Sequence, residues 1–258
     1  MTQTLLNHSL ITQRYFFPRK VAFPSSYTPT WIDVQGDQLA CWSSRSSSSS
    51  SATNRPLLLH FHGNGEVVGD WIEFFEPLCT HLGIDVLLAE YRGYGQSTGV
   101  PRLCEYLSDF DALFDHIHRP QDQIIVFGRS IGSLYALEWI KRFPKTRGVI
   151  IESGIHDLKE RLLLRMSYEE LGCSPDELDQ ALATYFNASD ILQNYRYPSL
   201  FLHAQFDHLV SLSHAQRNAK AAQKPTHVFF PQGDHNSILY ANFEAYCSHV
   251  CSWIQDLL

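Results

Sequence analysis

Short, nearly continuous apolar runs recur from Leu57 onward: Leu57–His62, Ile84–Ala89, Ile124–Phe127, Gly148–Ile151, Ser199–Ala204 and Thr226–Phe230. Runs this short, without polar alternation, fit strands buried on both faces, as in a parallel sheet covered by helices. Between them lie segments with apolar residues at helical period: Asp70–Leu82, Leu103–His116, Ile131–Arg142, Ser213–Ala222 and Asn236–Leu258. Strand alternating with helix predicts an α/β fold, a mostly parallel central sheet with helices on both faces. Ahead of these runs, the alternating stretch Trp31–Trp42 reads as one or two antiparallel strands near a sheet edge. With 258 residues, 44% of them hydrophobic, the chain can bury a full core, and residues 1–258 are expected to form a single domain.

Two segments depart from the alternation. Eight of the nine residues Ser43–Ser51 are serine; such a tract buries no apolar surface and predicts a mobile loop over 43–55. The connection between Ile151 and Ser199 is the longest of those between runs and has helical content of its own. Ile155, Leu158, Leu162 and Met166 form one apolar helix face. Ser174-Pro175-Asp176-Glu177 then reads as a capping box with proline at the first helical position, ahead of Leu178, Leu182 and Phe186. An insertion of two or three helices over 153–197 is expected to cap the sheet edge.

Charge and cysteine usage narrow the function classes. The net charge of −7 leaves no basic excess to neutralise phosphates, so nucleic acid is not an expected partner. The stretch Met1–Phe17 lacks the apolar core of a signal peptide, and no apolar run reaches the roughly 18 residues of a membrane span. Six cysteines without a C-x-x-C pair complete an expectation of a cytoplasmic chain with no integral membrane segment. His60 and His62 share a strand face, but no third ligand follows at useful spacing, so no metal is expected.

The strongest local signal is Gly128-Arg129-Ser130-Ile131-Gly132, placed directly after one apolar run and opening the next helix. G-x-S-x-G in strand–turn–helix context lifts the serine hydroxyl to the carboxyl edge of the sheet, at a helix N-terminus. A serine hydroxyl becomes nucleophilic only when a base takes its proton and a carboxylate orients the base. Both should follow later strands. Gln205-Phe206-Asp207-His208 follows one run, and Pro231-Gln232-Gly233-Asp234-His235-Asn236 follows the last. His235 is the preferred base over His208 and His227, because it sits in a glycine loop past the last strand. Asp207 is the preferred acid, with Glu152 at the tip of the preceding strand as the second candidate. Asp234 adjoins His235 too closely to fold back onto its ring. After the first run, His62-Gly63-Asn64-Gly65 supplies a loop whose Asn64 N–H, with that of Ile131, could hold an oxyanion.

These segments, together with Glu90-Tyr91-Arg92-Gly93-Tyr94-Gly95-Gln96-Ser97, resemble the alpha/beta-hydrolase superfamily, over roughly residues 30–258. More narrowly, they are similar to alpha/beta-hydrolase-domain proteins of the lysophospholipase-like and serine-aminopeptidase-like group. The resemblance implies an alpha/beta-hydrolase fold with a small helical cap, Ser130 as nucleophile, Asp207 as acid, His235 as base, and Asn64 and Ile131 as oxyanion donors. Ala204, where relatives often have glycine, and the serine tract depart from the pattern. The implied reaction is cleavage of an acyl bond, a carboxylic ester foremost, with no cofactor and a small-molecule acyl substrate. Peptidase or amidase, and thioesterase or lysophospholipase, use the same triad and remain alternatives. A non-catalytic binding protein would have lost a triad residue. The two apolar faces of the cap are expected to roof the site and line an acyl pocket.

Overall fold

A computed structural model describes residues 2–44 and 55–258. The apolar runs become neighbours in one sheet of eight strands: β1 (Thr30–Val34), β2 (Asp37–Ser43), β3 (Leu57–Phe61), β4 (Asp85–Ala89), β5 (Ile124–Arg129), β6 (Gly148–Glu152), β7 (Ser199–Ala204) and β8 (Pro225–Phe230). Their order across the sheet is β1-β2-β4-β3-β5-β6-β7-β8. Strand β2 runs antiparallel to β1 and β4, and the remaining pairs are parallel. Every residue of β3 to β7 is buried, as unalternating apolar runs require. Strand β8 differs: its first residues are exposed, because it forms the sheet edge and only its end packs inward.

Twelve α-helices surround the sheet: α1 (Thr2–Leu6), α2 (Ser9–Tyr15), α3 (Ile72–Leu82), α4 (Phe110–Ile117), α5 (Gly132–Arg142), α6 (Leu158–Leu163), α7 (Tyr168–Leu171), α8 (Pro175–Thr184), α9 (Ala188–Asn194), α10 (Leu212–Ala221), α11 (Ile238–Ala241) and α12 (Phe243–Gln255), counted among the described residues. One apolar cluster packs α3, α11 and α12 on one face of the sheet; the other packs α4, α5 and the β6–β7 connection on the opposite face. The helix expected over Asn236–Leu258 is broken at Asn242, whose Nδ2 donates to the carbonyls of Gln232 (3.0 Å) and Ile238 (2.8 Å). None of the described helices is long and apolar enough to cross a membrane.

The serine tract lies outside the described residues apart from its start. Ser43 ends β2, and Ser44 extends the edge by donating its N–H to Val86 O at 3.1 Å. The β6–β7 connection holds four helices, α6 to α9, where two or three are expected from the pattern. The capping box at Ser174 forms, with Ser174 Oγ accepting the Glu177 N–H. Leu162 is fully buried and Met166 is 4% exposed, in one cluster with Leu6, Ile11 and Tyr15. The N-terminus forms two helices, of which α1 packs on α8, and its buried residues share one apolar cluster with both faces of the connection.

Candidate active site

The elbow between β5 and α5 depends on two glycines. A Cβ on Gly128 would meet Gly132 O at 2.5 Å, and one on Gly132 would collide with the carbonyls of Phe61 and His62. Only bare backbone lets β5, α5 and the end of β3 approach this closely. Between the glycines Ser130 adopts φ +53°, the left-handed region that a residue with a Cβ occupies only when its surroundings enforce it. Enforcement is visible: the Ser130 N–H donates to Glu152 O at 2.9 Å, and its carbonyl accepts the Ser133 N–H (3.0 Å) and hydroxyl (2.6 Å). Ile131 opens α5, so its N–H lies where the helix dipole is positive.

Three of the sequence-derived candidates meet in one row. Ser130 Oγ lies 2.9 Å from His235 Nε2, and His235 Nδ1 lies 2.7 Å from Asp207 Oδ2. All three are buried, at 8%, 6% and 4% exposure, so the row is shielded from bulk water. The other Asp207 oxygen accepts the N–H groups of Leu209 (2.9 Å) and Val210 (2.8 Å). Burial raises the Asp207 pKa, but His235 and the Val210 N–H outweigh it and hold the carboxyl below its ordinary value. A charged, hydrogen-bonded acid stands at one end and a hydroxyl at the other. That order permits the base to take the serine proton while the acid stabilises the imidazolium.

Glu152 does not enter the row. Its carboxylate accepts Arg129 Nε at 2.9 Å and the Tyr246 hydroxyl, with no surface exposed. His62 is likewise engaged, in a buried pair with Glu90: its Nε2 lies 2.6 Å from Glu90 Oε1 and its Nδ1 2.8 Å from Gly63 O. Burial alone would lower the His62 pKa; Glu90 overrides it and raises it. Both ring nitrogens face acceptors, so this imidazole braces the loop that follows β3.

Asn64 stands on that loop. Its side-chain oxygen accepts the Phe17 N–H (2.9 Å) and the Tyr94 hydroxyl (2.7 Å), and its Nδ2 donates to Tyr15 O (2.5 Å). The side chain is committed to holding the N-terminal segment over the loop, which leaves the backbone N–H as the group Asn64 can offer an oxyanion. The N-terminal segment, Tyr94, Arg129 and Glu66 escape sequence reasoning. Of these only Arg129 and Tyr94 fall within motifs, and neither motif assigns them a task.

Residues 52–171 match the sequence family described as serine aminopeptidase, S33. Alpha/beta hydrolase domain-containing protein 17B of Xenopus tropicalis is 24% identical over 216 residues, covering 81% of this chain and 69% of the relative. The uncharacterized protein YfhR of Escherichia coli is 25% identical over 235 residues, covering 86% and 78%. Among solved structures, Est1E of Butyrivibrio proteoclasticus with ferulic acid bound superposes with a TM-score of 0.72 at 18% identity, over 88% of this chain and 98% of that one. Alpha/beta hydrolase domain-containing protein 10 from mouse gives 0.66 at 14% identity, covering 90% and 100%.

Proposed function

We propose that this chain, similar in sequence to alpha/beta hydrolase domain-containing proteins and in fold to alpha/beta hydrolases, is a serine hydrolase cleaving an acyl bond, a carboxylic ester foremost, through Ser130, His235 and Asp207. The supporting observation is the continuous row from Asp207 through His235 to Ser130, with contacts of 2.7 and 2.9 Å. His235 Nε2 takes the Ser130 proton as Oγ attacks the carbonyl carbon. The N–H groups of Ile131 and Asn64 hold the resulting oxyanion, and Asp207 stabilises the imidazolium. The imidazolium then passes its proton to the leaving oxygen, giving an acyl-enzyme. Water, deprotonated by the same imidazole, attacks that ester and frees the acid and Ser130. Every step uses side chains and backbone of this chain, and the substrate is a small acyl compound. Cleavage of an amide by the same groups is the second reading, favoured by the match of residues 52–171 to a serine aminopeptidase family.

The test is a panel of p-nitrophenyl esters run beside aminoacyl nitroanilides with the purified chain. Hydrolysis of esters with inert anilides supports the first reading, and the reverse ranking supports the second. Inertness toward both panels and toward a fluorophosphonate would count against serine hydrolysis altogether.

A further inference from the structure

Arg129 precedes the nucleophile, and only 4% of it is exposed. Burying a guanidinium costs several kcal/mol unless its donors are matched, so its partners show what it holds. Nε donates to Glu152 Oε1 at 2.9 Å, Nη1 pairs with Glu66 Oε1, and Nη2 donates to the backbone carbonyl of His235 at 2.7 Å. Burial alone would lower the Arg129 pKa, but Glu66 and Glu152 raise it, so the cation is permanent. Each carboxylate passes the constraint on. The second oxygen of Glu66 accepts the Gly63 N–H at 2.7 Å and Trp71 Nε1 at 3.0 Å. The second oxygen of Glu152 accepts the hydroxyl of Tyr246 from α12.

One side chain therefore joins the elbow to the base loop directly, and through Glu66 to the turn that presents the Asn64 N–H. The base loop has little else of this kind. Asp234 bonds to Asn236, Ser237 and Ile238, and Gln232 is held by Asn242, all close along the chain. Apart from the His235 ring on Ser130 itself, the carbonyl of His235 is where a side chain of the elbow holds the base loop, and it belongs to the residue whose ring must be aimed.

We infer that Arg129 is a positioning residue whose three-armed fork aligns His235 and the Gly63–Asn64 turn on Ser130. It touches no reacting atom. The inference rests on the serine-hydrolase reading and deepens it. A planar fork is needed because three acceptors on three segments must be met at once, which a lysine ammonium at the end of a flexible stem does not reproduce.

Arg129→Lys in the full chain keeps the positive charge between Glu66 and Glu152 and removes the fork. The expected result is a kcat lower by about 10- to 100-fold, the loss that misplacement of a reacting group by an ångström brings. KM should stay unchanged, and the rate of fluorophosphonate labelling at Ser130 should fall in step with kcat. In proton NMR, the low-field resonance of the His235–Asp207 hydrogen bond should broaden or vanish while the thermal midpoint stays above the assay temperature. Wild-type kcat, labelling rate and resonance in Arg129→Lys would overturn the inference and leave Arg129 as charge balance for the fold. Should the lysine variant fail to fold, Glu66→Gln breaks the arm to the oxyanion turn alone: a loss of kcat at constant KM supports the inference, and unchanged kcat overturns it. If the wild-type chain neither labels nor turns over, the serine-hydrolase reading fails, whereas the low-field resonance still tests whether Arg129 aligns His235.

Discussion

The carboxyl ends of β6 and β7 lie side by side, and each delivers a carboxylate to the interior: Glu152 at 0% exposure and Asp207 at 4%. Their surroundings separate them. Glu152 is the last residue of its strand, and its side chain runs sideways into Arg129 and Tyr246. Asp207 stands three residues beyond Ala204, in a turn closed by its own N–H on Ala204 O at 3.2 Å. There the N–H groups of Leu209 and Val210 occupy one oxygen, and the other meets His235 at 2.7 Å, with His203 Nε2 3.3 Å away. Burial dominates at Glu152 and raises its pKa despite Arg129, whereas His235 and backbone donors hold Asp207 low. Burial alone does not select an acid; reach beyond the strand end and a supply of backbone donors do.

The comparison breaks most sharply through substitution. Asp207→Asn removes the charge that an imidazolium needs, and kcat for ester hydrolysis should fall by roughly 10⁴. Glu152→Gln should lower kcat by less than about tenfold, since Arg129 retains its bonds to Glu66 and the His235 carbonyl. Its main effect should be on the thermal midpoint, because an imperfectly satisfied buried network costs about 1–3 kcal/mol. Steady-state kinetics and thermal melts of the two variants check both statements, and the reverse ranking would move the acid to the tip of β6.

A smaller effect is expected on the other flank of the sheet. His60 packs among Trp71, Phe75 and Phe127 with 1% exposure, and burial first, then His62 and Arg129, lower its pKa well below 6.5. The folded chain therefore keeps this ring neutral while the unfolded chain protonates it. Stability is undiminished above the unfolded pKa near 6.5 and falls as the pH drops below it. The thermal midpoint at pH 5.5 should therefore lie below that at pH 7.5. His60→Phe keeps the ring and removes the titration, so its midpoint should fall less than that of the wild type between pH 7.5 and 5.5. Parallel pH dependence in the two chains would contradict the assignment.

The strands legible in the sequence were those whose burial leaves a local mark. The runs that became β3 to β7 are buried throughout, and an unbroken apolar run records that condition directly. Of the candidate residues, Ser130 and Asp207 were legible because they lie at or just past such runs, and His235 because it sits in a glycine loop past β8, an edge strand exposed at its start. Arg129 and its partners were not, since the bonds to Glu66, Glu152 and the His235 carbonyl join residues 63, 23 and 106 positions apart, and a single motif carries no trace of such pairing. The N-terminal helices hid for a different reason. At five and seven residues they are too short for periodicity to show, and they owe their order to packing on the β6–β7 connection.

The central claim is that Ser130 is a nucleophile activated by His235 and Asp207. Incubation of the wild-type chain and Ser130→Ala with a fluorophosphonate, followed by intact-mass and peptide mass spectrometry, tests it most directly. The account predicts one adduct per chain on the peptide containing Ser130, none in the alanine variant, and a loss of ester turnover on the order of 10⁶. An adduct on another residue, or equal labelling of Ser130→Ala, would contradict it.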